Sequence, residues 1–296
     1  MEGADIKSDG LRTSFAHRVS SCLLSPGLLK RSQRAARPTQ YREKRGLRNV
    51  STAEDSTSLT SDMTRHAMQA SIDAAPYRWP HDSSFHPTTT ALVIIDMQRD
   101  FCSPEGYMSY QGYDISASRA IIPRLQVLLS IFREKGFPIY FTREGHRPNL
   151  STLSSREEER SRNNSGVGIG DRGPLGRLLI RGELGHEIVP ELKPLDNEDV
   201  IDKPGRSAFQ HTDLGLLLSV KGIKNLILCG VTTDVCVSST MREANDNNFD
   251  CLLVEDATAA AEPELHQGAV QTVKGEGGIF GAVTSTAQIL AALNVT

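Results

Sequence analysis

From Pro87 to the C-terminus one pattern recurs: a short continuous apolar run, then an amphipathic stretch with helical spacing. The runs "ALVIIDM" (91–97), "PIYFT" (138–142), "DVIDK" (199–203), "NLILCG" (225–230), "DCLLVED" (250–256) and "GIFGAV" (278–283) are too short for buried helices, and most contain β-branched residues. They read as strands covered on both faces. Between them "ASRAIIPRLQVLLSIFREKG" (117–136) has apolar residues at helical spacing, Pro123 in its first turn and Gly136 as its stop. "DLGLLLSVKG", "VCVSSTMREAND", "PELHQGAVQTVKG" and "TAQILAAL" read as further helices. Strand and helix in alternation predict a mainly parallel six-stranded sheet with right-handed crossovers, hence a three-layer α/β/α fold. Ligands in such folds bind at the carboxyl ends of strands.

The alternation is interrupted once, by a polar and Gly-rich tract from about Arg143 to Asn197. A connection that long within a compact domain is usually functional or disordered, so it is expected to be a lid or an interface segment. No internal repeat and no second folded domain are expected. With 296 residues at 38% hydrophobic composition, the chain can bury an ordinary soluble core. A formal net charge of −3 gives no whole-chain reason to expect nucleic acid, and no apolar run is long enough to span a bilayer. Cys22, Cys102, Cys229, Cys236 and Cys251 are odd in number and lack paired metal spacing, which favours free thiols in a reducing compartment.

Residues 1–72 differ from the rest, and the folded domain is expected over 73–296. Arg12, Arg18, Lys30, Arg31, Arg34, Arg37, Arg42, Lys44, Arg45 and Arg48 face the single acid Glu43 between Leu11 and Val50. This basic extension is expected to be disordered. An Arg- and Ser-rich leader suits an organelle transit peptide, whereas Glu2, Asp5 and Asp9 do not. A cytoplasmic location with a solvated tail is the plainer reading.

Three chemistry-bearing residues fall at strand ends. Asp96 ends "ALVIID", Lys203 ends "DVIDK", and Cys236 follows "LILCGVTTD" near a helix start. Unpaired N–H groups at a helix start favour a thiolate. An ammonium favours it too, while a carboxylate can take the thiol proton and return it to a leaving amine. Each residue also has a plainer role open to it: Cys236 as a packed small side chain, Asp96 as a turn or helix cap, Lys203 as a solvated strand end.

"IIDMQRDF", "DKPGRSAF" and "GVTTDVCV" resemble the three signature segments of the isochorismatase-like cysteine hydrolases, and the likeness runs from about Asp73 to the C-terminus. Within that superfamily "DAAPYRWP", "REGHRP", "GVTTDVCVSSTMREAND" and "GGIFGAV" are most similar to biuret hydrolases. The resemblance implies an isochorismatase-like, Rossmann-like fold, commonly tetrameric, with Asp96 as general base, Lys203 as its electrostatic partner and Cys236 as nucleophile. It also implies an oxyanion hole from the backbone N–H groups of Thr232 and Cys236, and a cis peptide between Val231 and Thr232. The reaction expected is hydrolysis of a terminal amide in a small ureide, biuret to allophanate and ammonia, through an acyl-enzyme and without a cofactor. N-carbamoylsarcosine, ureidoacrylate or nicotinamide are alternative substrates, and a non-catalytic or redox thiol is an alternative class.

Two positions depart from the pattern. Nicotinamidase relatives carry an Asp-x-His metal motif after the second strand, where this chain has "TREGHR" with Glu144 and His146. No metal is therefore expected, and His146 reads as a loop or lid residue. Biuret hydrolases place a pocket Gln before the paired glycines, where this chain has Glu276. An ionised Glu accepts hydrogen bonds without donating any, so a pocket Glu276 favours substrates rich in N–H donors. A helix-end acid facing water is the other reading. Phe101 is expected over the flat face of a ureide or in the core, and Arg206 and Ser207, just after Lys203, are expected to line the pocket.

Overall fold

The structure, a computed structural model, describes residues 71–293. The expectations for the basic extension and its targeting concern residues before 71 and lie outside that range. Strands β1 (Thr90–Ile95), β2 (Ile139–Glu144), β5 (Asp199–Lys203), β6 (Asn225–Val231), β7 (Asp250–Ala259) and β8 (Ala282–Thr284) form one sheet in the order β5-β2-β1-β6-β7-β8. Every pairing in it is parallel. A two-residue hairpin, β3 (Arg172–Gly173) with β4 (Gly176–Arg177), stands apart in the long connection.

The period of two in β1 divides the core. Leu92 and Ile94 point to one face, where Leu125, Leu128 and Phe132 of helix α4 (Ile122–Glu134) cover them. Ala91, Val93 and Ile95 point to the other, which is covered from helices α6 (Leu214–Val220), α7 (Ser238–Asp246) and α8 (Pro263–Lys274) by Leu218, Met241 and Val270. Helix α9 (Thr286–Ala292) joins the first layer through Ile289. The layers are those expected, since strands buried on both faces need helices on both. At the centre β6 crosses β1 so closely that a Cβ on Gly230 would lie 2.1 Å from the Ile95 carbonyl oxygen, and Gly230 has φ +104°.

Ile72 is fully buried and exchanges backbone hydrogen bonds with Trp79. Short helices α1 (Arg99–Cys102), α2 (Tyr107–Tyr110) and α3 (Ser116–Ala120) follow β1. The tract after β2 is folded, with helix α5 (Ser155–Ser161) and the hairpin laid over the strand ends. Asp100 of α1 ties this tract down: its carboxylate accepts from the N–H of Leu179 (3.0 Å) and of Tyr107 (3.2 Å). Among the described residues no helix is long and apolar enough to cross a membrane.

Candidate active site

The sheet register brings the site together. Parallel pairing sets Glu144 at the end of β2 directly beside Lys203 at the end of β5. Asp96 follows β1 by one residue with φ +49°, and β6 runs through a cis Val231–Thr232 bond into a tight turn (Thr233–Val237) carrying Cys236. Four side chains meet there. Lys203 Nζ lies 2.7 Å from Asp96 Oδ2, 3.0 Å from Glu144 Oε2 and 3.4 Å from Cys236 Sγ, and it donates to the Gly205 carbonyl at 2.7 Å. The Cys236 thiol in turn donates to Glu144 Oε2 at 3.2 Å.

Glu144 was not expected here. The apolar run predicts a second strand that ends at Thr142, whereas β2 continues through Arg143 and Glu144. Gln98 holds the extension, because its amide donates to the Glu144 carbonyl (3.0 Å) and its carbonyl oxygen accepts from the Glu144 N–H (2.7 Å). Asp96 is held separately, with Thr142 Oγ1 donating to its Oδ1 at 2.6 Å.

The charges follow from burial and from each other. Lys203 is fully buried; desolvation alone would lower its pKa, but Asp96, Cys236 and Glu144 outweigh that and hold it protonated. Burial works to raise Glu144, yet Lys203, the thiol hydrogen bond and Arg206 hold its carboxyl below the ordinary range. Burial raises Asp96 despite Lys203. Burial likewise pushes the Cys236 thiol well above its usual value, with Lys203 opposing and both carboxylates adding. Burial and the two adjacent carboxylates thus oppose the thiolate that a helix start and the ammonium favour.

Asp96, Glu144 and Cys236 present donor atoms within 4.8 Å of one another, a spacing suited to a metal ion. Lys203 Nζ already provides a cation among them, so a metal would have to displace a buried ammonium, and the set does not fit one. His146 stands outside this group, buried, with its ring against Thr152 Oγ1 at 3.3 Å.

Glu144 and Cys236 open into a cavity of about 370 Å³. Phe101, Tyr107, Arg206, Thr232 and the folded tract's Glu157 and Arg160 also line it. Glu157 receives Arg206 Nη2 at 2.5 Å and also pairs with Arg160, so two guanidinium groups share one carboxylate at the tract side. Of the other expected pocket residues, Phe101 lines the cavity while also packing in the core. Ser207 and Glu276 do not line it. Ser207 is buried, with its Oγ accepting from the Phe209 N–H at 3.2 Å, so it serves a turn. Glu276 is exposed at φ +51° in the turn after α8, and the adjoining Gly278 packs against Tyr77 and Pro76. The expectation that Glu276 selects substrate within this chain's cavity is corrected by that placement.

Ureidoacrylate amidohydrolase RutB of Pantoea ananatis (strain LMG 20103) is 33% identical over 192 residues, 64% of this chain and 77% of that protein. The enzyme of the same name from Serratia proteamaculans (strain 568) is 30% identical over 207 residues, 69% of this chain and 84% of that protein. A cysteine hydrolase structure from Pseudomonas syringae pv. phaseolicola 1448A superposes with a TM-score of 0.61 at 24% identity, covering 73% of this chain and 96% of that one, and so shares the fold. The isochorismatase domain model matches residues 90–288, which takes in all four converging side chains, and the chain belongs to the isochorismatase family.

Proposed function

We propose that the protein is a cysteine amidohydrolase that cleaves the terminal C–N bond of a small ureide and releases ammonia. The observation that carries this reading is the Cys236 thiol within 3.2 Å of a buried carboxylate and 3.4 Å of a buried ammonium, at the floor of a cavity sized for a small molecule. Cys236 Sγ attacks the terminal carbonyl carbon as its proton passes to a carboxylate, and the backbone N–H groups of Thr232 and Cys236 hold the oxyanion. The amine leaves with that proton. Water then releases the acid from the thioester and restores the thiol. Lys203 steadies the negative charges through both steps, and no cofactor enters.

Biuret is the ureide favoured by the local sequence likeness. A ureide with a carboxylate at its far end is favoured by a specific observation: Arg206 and Arg160 share Glu157 on the tract side, leaving guanidinium N–H groups in excess of acceptors. Two relatives named for ureidoacrylate hydrolysis support that second reading. The test is ammonia release by the full-length protein from biuret, ureidoacrylate, N-carbamoylsarcosine and nicotinamide, with Cys236→Ala as control. Release from a ureide that disappears in the control is expected; release from none of them, or release unchanged in the control, overturns the proposal.

A further inference from the structure

We infer that His266, in the first turn of α8, is a positioning residue for the oxyanion hole: it holds the Thr233 hydroxyl, and so fixes the turn that presents the Thr232 and Cys236 N–H groups to the cavity. This deepens the amidohydrolase reading above and rests on its oxyanion hole. Thr233 opens the turn Thr233–Val237 and is buried. Its Oγ1 lies 2.9 Å from His266 Nδ1. Thr232 is still extended (φ −93°, ψ 147°), so the chain reverses at Thr233. Where that reversal is held decides the direction of both N–H groups, and oxyanion donors act only if they are aimed in advance.

Inside the turn, the Thr232 carbonyl accepts from the N–H groups of Val235 (3.2 Å) and Val237 (3.1 Å). These bonds set the shape of the turn but not its placement against the rest of the molecule. The Thr233–His266 pair ties it to a separate element. That element is fixed at the cavity: the His266 N–H donates to the Glu262 carbonyl at 3.2 Å, and Ala261, Glu262 and Leu265 line the same space as Thr232 and Cys236. Neither Thr233 nor His266 lines it, so any effect of the pair on the reaction passes through the backbone.

The ring suits this role. Burial holds the His266 imidazole below the ordinary histidine range, while Glu255 of β7 and Asp234 of the turn pull the other way. An uncharged ring satisfies the pair in either tautomer, by accepting the Thr233 proton at Nδ1 or by donating its own. An asparagine side chain offers the same choice from a similar position.

The test compares full-length wild type, His266→Ala, His266→Asn, Thr233→Val and the double variant Thr233→Val/His266→Ala in two reactions of Cys236, with Cys236→Ala as the blank. The first is the burst of nitrophenol from p-nitrophenyl acetate, in which the carbonyl oxygen becomes an oxyanion. The second is alkylation by iodoacetamide, a displacement that forms no oxyanion, followed on the Cys236 peptide because Cys102, Cys229 and Cys251 are also free thiols. His266→Ala and Thr233→Val are each expected to slow the burst about 10- to 100-fold while alkylation stays within about twofold. The double variant should match Thr233→Val within about threefold, because the two groups act through one bond. His266→Asn should recover most of the burst. With the ureide that the wild type turns over, kcat should fall with the burst while KM stays within about threefold. The inference is overturned if the burst in His266→Ala keeps the wild-type rate, if burst and alkylation fall together, or if His266→Asn is as slow as His266→Ala. Should the wild type give the burst but hydrolyse no ureide, the ureide reading falls alone, and the burst set against alkylation still decides the role of His266. A wild type with no burst above the Cys236→Ala blank overturns both.

Discussion

Replacing Lys203 with Met removes the ammonium between Asp96 and Glu144 and leaves two carboxylates buried against each other. Breaking a buried ion pair from one side costs about 3–5 kcal/mol, so Lys203→Met is expected to lose stability of that order in urea unfolding, along with activity. An unchanged midpoint in urea would contradict the charge balance described for the site. Cys236→Ala should behave oppositely, losing turnover by at least about 1000-fold with the fold intact, because it removes one small side chain and no buried charge. Asp96, Lys203 and Cys236 were legible in the sequence because the first two end short strand-like runs and the third follows another, and strand ends in a parallel sheet share one rim. Glu144 was not, because "RE" after "PIYFT" reads as the polar start of a loop. Only the pairing of β2 with β5 shows that these two residues extend the strand. The upward push on the Cys236 thiol was equally hidden, since burial and the two carboxylates beside it are set by the fold.

At the scale of the elements, α5 and the loop after β5 are joined by Glu157 and Arg206 across the cavity. Glu157→Gln is expected to raise KM about tenfold with a smaller change in kcat, because the pair orders the cavity wall and does not touch the sulfur. Equal losses in kcat and kcat/KM would instead give Glu157 a part in the chemistry. A second connection titrates. Burial raises the Asp100 carboxyl to about 6, above its unfolded value near 4, so its protonated form is favoured in the folded chain. The stability it contributes is thus fully present below about pH 4 and is lost as pH rises through 6, by about 3 kcal/mol at most. Asp100→Asn should flatten that part of the unfolding profile, and an identical slope in the variant would refute the assignment. The helices and strands themselves were readable because their apolar spacing is strong; the tract from Arg143 to Asn197 lacks periodicity, so a lid or interface segment could be expected there but not its helix and hairpin.

Across the whole molecule, the alternation of strand and helix fixes a sheet whose one rim gathers a thiol, an ammonium and two carboxylates from four separate strand ends. Gly230 shows how tightly the scaffold controls that rim: Gly230→Ala is expected to destabilise the fold or prevent it, because its Cβ would overlap the Ile95 carbonyl next to Asp96. The tetramer implied by family resemblance is a separate proposal, and light scattering of the purified chain gives it directly. Whether hydrolysis runs through a covalent bond to Cys236 is decided by acid-quenching the full-length protein during turnover of its ureide and mapping the adduct by peptide mass spectrometry. One acyl group is expected on the Cys236 peptide, absent without substrate and absent in Cys236→Ala. Ammonia release that continues in Cys236→Ala with no adduct in either protein would contradict it.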